Sequence, residues 1–142
     1  MTTDEVATAR VQRILPAPPA AAYAAWVDAE ALARFIAPAG TAEVRCDPRV
    51  GGLLRIVMTF PDRVTEIEGE YLVLDPPHRV SFSWRALRAG FDSVVTVTFE
   101  PHPGERTRMT ITHMRLPLTW IESYDRGWGL IAGQLDAVLA AR

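Results

Sequence analysis

The chain closes on "SYDRGWGLIAGQLDAVLAAR", Ser123 to Arg142, and this segment carries helical spacing. Tyr124, Trp128, Ile131, Leu135 and Val138 recur at intervals of four, three, four and three, which puts them on one helical face. A long helix with one apolar stripe requires an apolar surface to cover. Its glycines raise a question, because each glycine inside a helix costs about 1 kcal/mol relative to alanine. Gly127 falls at the edge of the apolar face, where a missing side chain lets the helix approach its partner beside Trp128. Gly129 and Gly133 fall on the outer face with Glu122 and Asp136. With Ala137 and Ala140 they form a stripe of small residues, the surface through which a homodimer would pack.

The surface that the helix covers is written in the preceding residues. From Thr41 the apolar period is two. "TAEVRCD" leads through "PRVGG" into "LLRIVMTF", and "PDR" turns the chain into "VTEIEGEYLVL". "DPPHR" separates this from "VSFSW", where Val80, Phe82 and Trp84 share a face. "DSVVTVTF" sets Val95, Val97 and Phe99 against Val94, Thr96 and Thr98. "RTRMTITHMRL" sets Met109, Ile111 and His113 against Arg108, Thr110 and Thr112. Upstream, residues 1–8 read as a loose tail and "ARVQRIL" as a strand ended by "PAPP". "PAAAYAAWVDA" and "EALARFIAP" read as two short helices. The predicted order is strand, two helices, six strands and one long helix, an α+β domain over residues 9–142. Strands joined by short turns give an antiparallel sheet with one dry face, which the closing helix covers.

Composition narrows the function. The chain has 142 residues, 49% apolar and 23% charged, with a net charge of −2, so nothing favours nucleic acid or an anionic membrane as partner. No apolar run approaches the ~20 residues of a membrane span. "MTTDEVATARVQR" lacks the basic and apolar regions of a signal peptide, and Cys46 is the only cysteine, so the expected location is cytoplasmic. Every cation is arginine, which excludes lysine Schiff-base chemistry and a P-loop lysine. No asparagine is present, so there is no N-glycosylation site.

Four stretches, in order, resemble the activator of heat shock protein 90 ATPase homologue-like family, within the START-like, polyketide-cyclase-like superfamily. They are "RILPAPPAAAYAAWVDAEALARFIAP", "DPRVGG", "GEYLVLDPPHRVSFSW" and "SYDRGWGLIAGQLDAVL". The family commonly has a tryptophan pair or Trp-aromatic where this chain has Arg34-Phe35-Ile36. The resemblance implies the helix-grip fold, a curved antiparallel sheet wrapped around the C-terminal helix, often with a cavity between them. No cofactor is expected.

Candidate chemistry is sparse. His78, His102 and His113 lack metal-site spacing. His113, on the dry face, is either a hydrogen-bonded core histidine or a polar contact in a ligand cavity. Glu66, Glu68 and Glu70 alternate with apolar residues and read as a solvated strand face. Cys46 reads as a small packed residue, and Asp47 with Arg49 as a turn-fixing pair. No Gly-x-Ser-x-Gly elbow is present. On the implied fold, the residues expected to line a gap between sheet and helix are Leu54, Ile56, Tyr71, Phe82, Trp84, Val97, Ile111, His113, Tyr124 and Trp128. They suit a small hydrophobic or aromatic ligand. The alternatives are a polyketide cyclase/aromatase-like enzyme, with His113 or a tyrosine moving protons, and a co-chaperone-like domain that stimulates an ATPase through its surface.

Overall fold

A computed structural model describes residues 5–141. The elements follow the expected order. They are β1 (Val6–Leu15), α1 (Pro19–Val27), α2 (Ala29–Phe35), β2 (Thr41–Cys46), β3 (Leu53–Phe60), β4 (Arg63–Asp75), β5 (Arg79–Ala86), β6 (Phe91–His102), β7 (Arg106–Pro117) and α3 (Ile121–Ala140). A single 3₁₀ turn, Leu118–Trp120, leads into α3. The strands form one antiparallel sheet in the order β1-β7-β6-β5-β4-β3-β2, curved around α3 in a helix-grip arrangement. Of the expected N-terminal tail, residues 1–4 lie outside the described residues. Val6 and Ala7 already belong to β1, opposite Pro117 and Leu116 of β7.

Local chemistry accounts for the element boundaries. Pro19 opens α1, where a missing N–H leaves no helical bond unmade. Asp28 caps α2 by accepting from the Ala31 amide at 3.1 Å, a contact worth about 1 kcal/mol. Between β2 and β3, Gly51 has φ +85°. At Gly52 a Cβ would lie 2.0 Å from the Asp47 carbonyl oxygen, so the turn admits no side chain there. Asp47 and Arg49 pair at 2.6 Å across the same turn, as expected.

The curvature has an identifiable origin in β4. A Cβ at Gly69 would sit 1.9 Å from the Ser83 carbonyl oxygen, and the β4–β5 register slips between Tyr71 and Val73. A strand of 13 residues bends at such a bulge, and the sheet closes around the helix. The carboxylates of Glu66 and Glu68 lie on the outer side, both paired with Arg55, which suits a solvated face.

α3 buries Trp128, Ile131, Ala132, Leu135 and Leu139, and leaves Glu122 and Arg126 exposed. Its expected outer face needs correcting. Asp136 pairs with Arg13 of β1 at 2.8 Å, and a Cβ on Gly133 would meet the Arg13 guanidinium at 3.7 Å. The side carrying Gly133 and Asp136 therefore leans on the edge strand β1. Of the small-residue stripe, Gly133 is thus covered by Arg13, whereas a Cβ on Gly129 would meet nothing within 4 Å and Ala137 and Ala140 are exposed.

Candidate functional site

The polar centre of the core is a chain of hydrogen bonds that joins α3 to three strands. The Trp128 indole N–H donates to Nδ1 of His113 at 2.9 Å. An indole nitrogen only donates, so Nδ1 presents its lone pair and the imidazole proton sits on Nε2. Nε2 lies 2.7 Å from Oγ of Ser93 and donates to it. Ser93 passes its own proton to the Trp84 carbonyl oxygen at 2.9 Å. The Trp84 indole N–H then donates to the Tyr124 hydroxyl at 3.1 Å. Every donor and acceptor of His113 is used, and the ring has no solvent exposure. Burial pushes its pKa down from 6.5 to about 3, so it is neutral at physiological pH. His113 is thus a satisfied core histidine, the first of the two sequence readings.

Above this network the two tryptophans lie 5.3 Å apart, and Tyr124 stands edge-on to both Trp84 and His113. α3 does not seat evenly on the sheet. Beneath its N-terminal half there is a cavity of about 240 Å³, open to solvent on one side. Trp84, Tyr124 and Trp128 form its inner wall. Ile36 and Pro38, just past α2, close one side, and Met58 and Phe60 of β3 close another. Trp120 and Leu130 stand at the rim with exposed apolar surface. Gly127 also lines this space, and a Cβ there would meet nothing within 4 Å. The glycine does not draw the helix onto the sheet, as its position in the sequence suggests; it widens the gap.

Three of the ten residues expected to line a ligand cavity do so: Trp84, Tyr124 and Trp128. The other seven, Leu54, Ile56, Tyr71, Phe82, Val97, Ile111 and His113, are packed to 2% exposure or less and stand outside the cavity lining. Tyr71 donates instead to the Trp26 carbonyl at 3.3 Å, and its burial raises its pKa strongly. Cys46 is half-buried, with its thiol 3.7 Å from the Val27 carbonyl. Two features missed in the sequence had a signal in it. Met58 continues the parity of Leu54 and Ile56, and Ser93 continues that of Val95 and Val97 on the dry face. The α2 end carried no comparable sign.

Polar groups around the cavity are few. The Tyr124 hydroxyl accepts from Trp84, while its own proton finds no acceptor among the described residues. Burial raises its pKa, so it remains protonated and free to donate. Thr65, Ser123 and Arg63 complete the polar lining. Among the described residues no cluster of three or more His, Cys, Asp or Glu has metal-binding geometry, and no helix is long and apolar enough to cross a membrane.

A family profile described as Activator of Hsp90 ATPase homolog 1-like protein matches residues 16–140. The chain belongs to that family. No curated protein matches it significantly. Among solved structures, the Activator of Hsp90 ATPase homolog 1-like chain is similar to protein CV1439 from Chromobacterium violaceum. The two are 29% identical, with 93% of this chain and 96% of that one covered and a TM-score of 0.86. An uncharacterised protein from Rhizobium leguminosarum is 25% identical over 97% of both chains, with a TM-score of 0.82. CalU16 from Micromonospora echinospora shares the fold at 20% identity, covering 92% of this chain and 82% of its own, with a TM-score of 0.67.

Proposed function

We propose that the protein binds a small aromatic or apolar molecule beneath the N-terminal half of α3. The observation that carries this reading is the cavity of about 240 Å³ walled by Trp84, Tyr124 and Trp128. An apolar cavity of roughly 150 Å³ takes up a benzene ring, so this volume suits a one- or two-ring compound or a short acyl chain. Transfer of apolar ligand area from water contributes roughly 25 cal/mol per Å². The tryptophan rings offer faces for stacking, and the free Tyr124 proton orients one polar atom. The reading needs no cofactor and suits a cytoplasmic location, in which the lone thiol of Cys46 stays reduced.

Proton transfer by His113, as a cyclase-like mechanism would require, has no support in this geometry. Both ring nitrogens are occupied within the core, and neither lines the cavity.

Gly127 provides the test. Its α-carbon faces empty space, so Gly127→Leu fills the cavity while replacing a poor helix former with a good one. Neutral aromatics, with naphthalene as the largest, are expected to shift amide NMR resonances around Trp84 and Trp128 in the wild type only. They should also raise the melting temperature, as any ligand of the folded state does. Unchanged naphthalene binding in a folded Gly127→Leu protein would remove the cavity as the site.

A further inference from the structure

One charged residue lines the cavity. Arg63, at the start of β4, contributes to the wall beside Phe60 and Thr65, and no carboxylate among the described residues lines that wall. Its guanidinium carbon lies 4.3 Å from the centroid of the Phe60 ring, which is itself a wall residue. The cation thus rests over the cavity's aromatic side. One of its nitrogens, Nη1, is 3.0 Å from Asp62. Both partners of that contact are largely exposed, and such pairs hold weakly. A guanidinium has five N–H donors, so most of its capacity remains for a second acceptor. The remaining polar lining groups carry no charge and can each donate as well as accept: the Tyr124 hydroxyl, whose proton is free, and the hydroxyls of Ser123 and Thr65.

An apolar chamber whose lining holds one cation, neutral hydroxyls able to donate and no anion is complementary to a particular ligand chemistry. Building on the cavity reading above, we infer that the ligand is an apolar carboxylate. Its ring or short chain lies against the wall formed by Trp84 and Trp128, and its carboxylate sits at Arg63. A carboxylate accepts from a guanidinium through two parallel hydrogen bonds, which fixes orientation as well as charge. An amine or other cation is disfavoured at the same place by Arg63.

The test compares trans-cinnamate with trans-cinnamamide, which has the same size and shape without the charge, by titration calorimetry at pH 7. The acid is expected to bind the wild type about tenfold more tightly than the amide, the scale of one charge-assisted hydrogen bond. Arg63→Gln should abolish that preference, lowering cinnamate affinity far more than cinnamamide affinity. Arg63→Lys should retain part of it. The preference should also shrink as salt is raised, because Arg63 is more than half exposed. Equal affinity of acid and amide for the wild type overturns the inference, as does a preference that survives Arg63→Gln. In either case, amide binding that Gly127→Leu blocks leaves the cavity reading standing. If neither compound binds the wild type, both readings fall.

Discussion

The neutral His113 makes the stability of this protein depend on pH, in a window that its buried position sets. Its folded-state pKa is pushed down from 6.5 to about 3 by burial. As the pH falls below 6.5, the unfolded chain takes up a proton at this residue and the folded chain does not. Stability is therefore full above that value and is lost progressively down to about pH 3, at ~1.4 kcal/mol per pH unit. Between pH 7 and pH 5 the loss from this one residue comes to about 2 kcal/mol. Protonation would also place a proton on Nδ1, where the Trp128 N–H already donates, so the network has no relaxed charged form. The assay is urea unfolding at pH 7, 6 and 5 for the wild type and for His113→Gln. The variant is expected to be less stable at every pH, since it leaves Trp128 or Ser93 without a partner. Its loss between pH 7 and pH 5 should nonetheless be smaller by about 2 kcal/mol, because the residue no longer titrates. The other two histidines are present in both proteins and cancel in the difference. Parallel pH profiles for the two proteins would show that His113 takes up its proton as readily in the fold as in the unfolded chain, which would refute its sequestration in the core.

Three further outcomes follow from packing. Leu135 has no exposure, so Leu135→Ala should lower unfolding free energy by about 2–5 kcal/mol, and a loss under about 1 kcal/mol would mean the helix face is misassigned. A Cβ at Gly129 meets nothing within 4 Å, so Gly129→Ala should stabilise by about 1 kcal/mol without changing the elution volume in size exclusion. A destabilised Gly129→Ala with altered oligomeric state would instead show a second copy approaching that face. Gly52→Ala drives a Cβ to 2.0 Å from a backbone oxygen, and melts should show a loss of at least about 1–3 kcal/mol. A neutral Gly52→Ala would refute the tight β2–β3 turn.

The fold was legible because periodicity states which way side chains point. Alternation placed Met109, Ile111 and His113 inward, and helical spacing placed Trp128, Ile131 and Leu135 against them; all six are buried. Position along a strand is not encoded that way. Leu54, Ile56 and Met58 share one face of β3, yet only Met58, nearest the strand's end, borders the cavity. Parity cannot separate them, because the helix covers one part of the strand's inner face and lifts off another. Ile36 and Pro38 were missed for a related reason. They lie past the end of α2, and what they face depends on how that segment meets α3 in space.

The glycines of α3 show why the helix lifts where it does. Toward its C-terminal end, Leu135 and Leu139 are buried and Asp136 is tied to Arg13 of β1. Gly133 sits over that same arginine with ordinary contact distance to spare, so this half is held close to the edge strand. In the N-terminal half the only fully sequestered side chain is Trp128, and His113 fixes its indole nitrogen from below. One large residue acts as a post there, and Gly127 beside it adds no side chain to fill the space that the post holds open. A run of apolar residues at 124, 127, 128 and 131 would pack this end as tightly as the other. The helix-weakening glycine thus costs about 1 kcal/mol of propensity and leaves the cavity open, the space in which we propose that a ligand binds. On the proposed function, stability and binding are divided along one helix: changes near Leu135 should act on unfolding, and changes near Gly127 on occupancy.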